Sequence, residues 1–225
     1  MSGLGRVLVL LCTVVLCVGL PAPTGVCAEV NGNQVIEGEA RFTVLSATLL
    51  RLEYAPAGGF CDDPTVLVQS RGFPTCEPTV SEQDGWLSIK TPALELRWKA
   101  GSVPFTAENL SIAWKAGGKS GTWKPGEDDE GNLGGTRPAL DGIGHGNLPP
   151  LDDGLLSREG WTLLDDSERP IWLGEEGWLK ERVGDGIDWY FFCYGTDYKQ
   201  MLRQYVDLCG KIPMLPRYAF GAWFS

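Results

Sequence analysis

Histidine is almost missing from this chain: there is one, His145, in 225 residues. It stands between Gly144 and Gly146, a setting that leaves an imidazole in solvent, and no second histidine exists to complete a metal site or a proton relay. Basic residues are few as well, 19 against 29 acidic ones for a net charge of −10, and they cluster nowhere. That balance argues against nucleic acid and anionic membranes as partners, because their phosphates demand Lys and Arg. No Cys-x-x-Cys spacing occurs, which argues against a four-cysteine zinc site. Gly134-Gly135-Thr136 lacks the lysine and following helix of a phosphate-binding loop. The acidic run Glu127-Asp128-Asp129-Glu130 lacks the alternating ligand spacing of a calcium loop and reads as a solvated turn. No cofactor is implied.

What is present begins with a processing signal. Arg6 precedes an apolar run from Val7 to Leu20, then Pro21, Pro23, Gly25 and Val26-Cys27-Ala28. A basic start, a short apolar core and small residues at the cleavage positions describe a secretory signal peptide over residues 1–28, cut after Ala28. The run is short for a bilayer span, and a signal anchor is the alternative reading. The mature chain is expected to be secreted or lumenal, with no membrane attachment after cleavage. Three of the seven cysteines leave with the signal, and Cys61, Cys76, Cys193 and Cys209 remain. Cys61 and Cys76 bracket a Pro- and Gly-bearing segment, which predicts a local disulfide. Cys193 and Cys209 either pair or stand as buried thiols. Asn109-Leu110-Ser111 is a glycosylation sequon open to a secreted chain.

Apolar patterning then describes a β-sheet protein. Between Phe42 and Tyr54, Phe42, Val44, Leu50, Leu52 and Tyr54 share one parity, with Thr43, Arg51 and Glu53 on the other. This period of two predicts half-buried strand, bent or split in two. Further short strands are predicted at Val66–Gln69, Trp86–Lys90, Leu94–Trp98, Leu110–Trp114, Ile171–Leu173 and Ile187–Cys193. Turn residues separate them at Gly58-Gly59, Asp84-Gly85, Gly101-Ser102 and Gly117-Gly118. Many short strands with turns between them indicate an antiparallel β-sandwich. Nine tryptophans are many for this length. Most belong in such a core, and the sharper reading is stacking on sugar rings.

Two stretches break the pattern. From Thr196 to Cys209, the residues Tyr198, Met201, Leu202, Tyr205, Val206 and Cys209 recur every three or four positions, one face of a helix. Thr196 or Asp197 can cap its start, and Gly210 with Pro213 can end it. A continuously apolar run, Arg217–Ser225, follows and reads as the first strand of a parallel sheet. The other exception is Asn132–Ser167, a Gly- and Pro-rich loop too apolar at Leu151, Leu155, Leu156, Trp161, Leu163 and Leu164 to be a solvated tail. Its acid pairs Asp152-Asp153 and Asp165-Asp166 are poor catalytic dyads, because neighbours on a strand point to opposite faces.

Several motifs in order carry a resemblance. They are Leu133-Gly134-Gly135-Thr136-Arg137, Leu140-Asp141-Gly142, Asp153-Gly154-Leu155-Leu156-Ser157-Arg158, Gly160-Trp161 and Asp165-Asp166-Ser167. Asp188-Trp189-Tyr190-Phe191, Tyr194-Gly195, Asp197-Tyr198-Lys199, Lys211-Ile212-Pro213, Pro216–Gly221 and Trp223 continue the series. Together they closely resemble glycoside hydrolase family 31. The resemblance implies a galactose-mutarotase-like β-sandwich over residues 29–195, then one helix and the first strand of a (β/α)8 barrel over 196–225. It implies a retaining α-glycosidase, commonly an α-glucosidase, whose two carboxyl groups about 5–5.5 Å apart lie on barrel strands past Ser225. By the same resemblance, loop 132–167 reaches over the pocket, and Arg158 with Glu159 would contact carbohydrate. The family's usual second residue is Asp, so Glu159 departs by one methylene, and a surface ion pair is the plainer role for Arg158. The implied partners are an α-glucoside-type carbohydrate and the missing catalytic barrel. The alternative is a non-catalytic sandwich that binds carbohydrate or a protein partner.

Overall fold

A computed structural model describes residues 28–56, 59–74, 76–102, 104–136, 149–174, 177–182 and 184–221. Its strands form two antiparallel sheets that face each other. The first follows the order β1 (Glu29–Asn31), β2 (Gln34–Glu37), β3 (Ala40–Ser46), β4 (Leu49–Tyr54), β13 (Ile187–Cys193), β10 (Trp161–Asp165). The second is a meander of β5 (Thr79–Gln83), β6 (Trp86–Lys90), β7 (Leu94–Lys99), β8 (Leu110–Ala116) and β9 (Lys119–Trp123). A two-stranded ribbon, β11 (Ile171–Trp172) with β12 (Leu179–Lys180), stands apart. The predicted sandwich is therefore present, and the run from Phe42 to Tyr54 resolves into two strands of one hairpin.

The hairpin turns follow from their residues. Asp84-Gly85 and Gly117-Gly118 each hold two consecutive positive φ angles, 53° and 76° and then 52° and 77°. Two left-handed residues make the turn whose twist matches the flanking strands. Gly117 is also needed for contact: a Cβ there would sit 2.0 Å from the Tyr194 carbonyl oxygen, and one at Gly195 would sit 2.0 Å from that of Ala116. The second sheet's hairpin thus touches the end of β13 backbone to backbone.

Alternation sends Phe42, Val44, Leu50, Leu52, Phe191 and Cys193 inward against Leu87, Ile89, Leu96, Trp98, Ile112 and Trp123. Aromatic contacts tie the layers, with Phe42 and Trp98 rings 5.8 Å apart and Trp123 and Phe191 5.2 Å apart. Truncating one such ring to alanine costs about 3–5 kcal/mol. Glu37 adds a polar tie, accepting from Trp98 Nε1 at 2.8 Å and from the Gly101 amide. Four tryptophans (Trp98, Trp114, Trp123, Trp161) are buried, whereas Trp172 and Trp178 are exposed.

The central strands of the first sheet, β3, β4 and β13, are buried on both faces, unlike the half-buried strands expected. The sheet's outer face carries Leu45, Leu49, Tyr190, Phe192 and Tyr194 beneath Val68 and the helix α1 (Tyr198–Cys209), which inserts Met201 and Leu208. Asp197 caps this helix by accepting from the Gln200 amide, and Gly210 closes it at φ 90°. Thr196 instead donates to the Gly117 carbonyl. Leu202, expected on the buried face, is exposed. Two strand predictions fail. Val66–Gln69 is a loop pinned by Thr65, because its amides serve local and helix carbonyls: Gln69 and Ser70 both donate to Leu208. Arg217–Phe220 forms a 3-10 turn where the first barrel strand was expected, since among the described residues no sheet edge adjoins it. Residues 1–27 of the expected signal segment 1–28, His145 and Trp223 lie outside the described residues.

Candidate functional site

The described residues of loop 132–167 form two antiparallel arms at its base. Leu133 donates to the Leu156 carbonyl at 2.9 Å, Gly135 to Asp152 at 2.6 Å, Asp152 back to Thr136 at 2.9 Å and Arg158 to Gly131 at 2.8 Å. Asn132 threads between the arms: its Oδ1 accepts from Gly134 and Gly154, and its Nδ2 donates to the Gly154 carbonyl and to Asp129. Asp129, read from sequence as part of a solvated turn, also accepts from the Ser157 hydroxyl. Residues 137–148, including Asp141 and His145, lie outside the described residues.

The arms rest on Tyr194. Its hydroxyl accepts from the buried Ser157 amide at 2.7 Å, lies 2.9 Å from Thr162 Oγ1 and donates to the Trp161 carbonyl at 3.1 Å. Burial raises the phenol's pKa, so it remains a neutral hydrogen-bonding post. Trp161 opens β10 and packs in the sandwich core, which anchors the loop's far end.

Arg158 and Glu159 sit where these constraints converge. Both side chains are exposed, while their backbones are held by Gly131, Lys119 and Ser157. Among the described residues no ion pair engages Arg158. A rigid backbone with two free, oppositely charged heads can donate to and accept from vicinal hydroxyls. Asp165 and Asp166 separate as alternation requires: Asp165 is exposed and accepts from Ser167, whereas Asp166 is fully buried.

A second polar constellation was missed by sequence reading. The outer face of the first sheet continues past its apolar half into a buried charge network. Arg51 grips Asp188 through two bonds of 2.8 and 2.7 Å and touches Glu53 at 3.0 Å. Arg41 grips Glu53 at 2.6 and 2.8 Å and reaches Asp62. Arg182 bonds Asp188 at 2.7 Å and the Asp166 carbonyl at 2.6 Å. Burial pushes the Asp188 carboxyl up, but Arg51 and Arg182 outweigh it and hold the group below the usual carboxylate range. The Asp166 carboxyl has weaker support: burial lifts it to about 6, and among the described residues Thr65 alone donates to its carboxylate oxygens. Period-two reading put Arg51 and Glu53 on the solvent side. The available signal was β13, whose IDWYFFC run buries an acid among aromatics.

The disulfide expected between Cys61 and Cys76 is absent. Cys61 and Cys76 are both free: the Cys61 thiol faces the Asp63 carbonyl, while Cys76 packs toward the sandwich core. Bracketing a loop in sequence did not bring the sulfurs together. Cys193 and Cys209 are free as well, and burial raises their thiols to about 12 and about 11. Asn109 is buried rather than displayed. Its Nδ2 donates to the Pro104 carbonyl at 2.7 Å and its Oδ1 accepts from the Thr106 amide at 2.7 Å, so the folded chain encloses the nitrogen a glycan would need.

No family model matches the sequence. A curated isomaltosyltransferase of Sporosarcina globispora is 44% identical over 36 residues, which is 16% of this chain and 3% of that protein. Among solved structures, a Flavobacterium johnsoniae GH31 dextranase mutant complexed with isomaltotriose aligns with TM-score 0.51 and 19% identity over 87% of this chain. A GH31 alpha-xylosidase from a soil metagenome, complexed with xylose, aligns with TM-score 0.50 and 13% identity over 85% of the chain. The chain spans 29% of the dextranase chain and 36% of the xylosidase chain. At these identities the likeness is one of fold.

Proposed function

We propose that this chain is the N-terminal part of a retaining α-glycosidase of glycoside hydrolase family 31, α-glucosidase-like and exported through the secretory pathway. In this reading it supplies a wall of the substrate pocket, and the catalytic carboxylates lie in a barrel beyond residue 225. The observation that carries it is the braced loop base, which presents Arg158 and Glu159 as free heads on a fixed backbone. The fold likeness to GH31 structures and the short match to an isomaltosyltransferase support it. Arg158 would donate to one sugar hydroxyl and Glu159 accept from its neighbour, an arrangement that orients a pyranose without taking part in bond cleavage. The exposed apolar side chains of Ile212, Met214, Leu215, Tyr218 and Phe220 would pack on that barrel.

The test has two parts. Residues 29–225 alone should give no hydrolysis of p-nitrophenyl α-glucoside above the blank, and turnover would overturn the placement of the catalysts. Sequencing the transcript past the Ser225 codon should reveal strand–helix repeats with aspartates at strand ends; a stop codon there would favour the non-catalytic binding module.

A further inference from the structure

Beside the charge network lies a cleft of about 410 Å³, lined by residues 53–56, 59–61, 180–182 and 184–188 with Ser167 and Ile171. Its size falls in the range of small-molecule sites. Its walls are apolar at Tyr54, Phe60, Ile171 and Ile187, and its floor is the Glu53, Asp188 and Arg182 array described above. That floor is neutralised and immobile, since Arg41 and Arg51 hold Glu53 while Arg51 and Arg182 hold Asp188.

The mouth carries different chemistry. Lys180, Glu181 and Asp185 line it and are exposed, and among the described residues none has an ion-pair partner. In the ribbon, Ile171 faces Lys180, and Leu173 donates to the Trp178 carbonyl at 2.9 Å. Cross-strand partners and alternate residues share a face, so Trp178 extends the same face that lines the cleft. Trp178 is 67% exposed. A large aromatic plane beside hydrogen-bonding carboxylates suits a ligand with an apolar face and hydroxyl edges. Two free acids against one free lysine disfavour phosphate or sulfate, and the charged floor disfavours a lipid tail.

We propose that this cleft is a second carbohydrate site, taking a neutral oligosaccharide with one ring on Trp178 and its hydroxyls on Glu181, Asp185 and Lys180. It does not rest on the reading of Arg158 and Glu159, neither of which lines the cleft. The test is calorimetric titration of the full chain with maltotriose, with sulfate as a competitor. Saturable binding should weaken about tenfold or more in Trp178→Ala, as expected for loss of an aromatic anchor, and should weaken in the double variant Glu181→Gln/Asp185→Asn. Unchanged melting midpoints would show that these exposed substitutions keep the fold. Absence of saturable binding would overturn the proposal, as would displacement by sulfate or loss in Arg158→Ala with Trp178→Ala unaffected. That last result would instead assign the sugar to the loop.

Discussion

Asp166 makes the stability of this fold depend on acid in an unusual direction. The carboxyl is fully buried, receives hydrogen bonds among the described residues only from Thr65 Oγ1, at 2.9 and 3.0 Å, and has Arg182 Nη1 3.9 Å away. Burial raises it from 3.8 to about 6, and the neighbouring Asp188 charge adds to the rise. A folded-state value above the unfolded one means that the folded chain binds the proton more tightly. The resulting stabilisation is complete below the unfolded value of 3.8 and is lost as pH rises through about 6. The size of the effect, at 1.36 kcal/mol per unit, is about 3 kcal/mol. Glu53, also raised by burial, acts in the same direction. Asp188 and Asp62, both held low, act oppositely and lose their contribution only as pH falls through their depressed values. Stability should therefore rise between pH 7 and about 4.5. Asp166→Asn keeps an acceptor for Thr65 and removes the charge. In urea unfolding at pH 7 the variant should be more stable by up to about 3 kcal/mol, a midpoint shift of about 1 M or more, and at pH 4.5 the difference should fall to about 1 kcal/mol. Equal destabilisation of the variant at both pH values would refute this, because it would mean that Arg182 compensates the buried charge fully.

Three further outcomes are expected. Arg51→Ala leaves Asp188 and Glu53 buried with fewer counter-charges and should lower stability by about 3–5 kcal/mol in denaturant unfolding. Gly195→Ala would bring a Cβ to 2.0 Å from the Ala116 carbonyl at φ 57°, so the sheets must part there, and the melting midpoint should fall far more than for Gly38→Ala, where nothing lies within 4 Å. Thiol titration of unfolded residues 29–225 without reductant should count Cys61, Cys76, Cys193 and Cys209 as four free groups, with no change in melting midpoint on adding dithiothreitol.

Period and punctuation in the sequence were enough to establish the sandwich, the strand Ile187–Cys193 at its observed bounds, and the helix with its Asp197 and Gly210 ends. These are local outcomes: alternation, capping and left-handed turns depend on residues within a few positions of one another. Weakly patterned strands escaped it, among them β9, which is KSGTW, and β10, which lay within the long loop. Arg158 and Glu159 were named by their resemblance to a family motif. Their exposure on a braced backbone depended on bonds from Asn132 and Tyr194, 22 and 37 residues from their partners. The charge network lay furthest from view. Parity places Arg41, Arg51, Glu53 and Asp188 on one face, but whether that face meets water depends on what folds over it. Segment 59–73 and α1 cover it, and burial is a property of the assembled layers that no local pattern encodes.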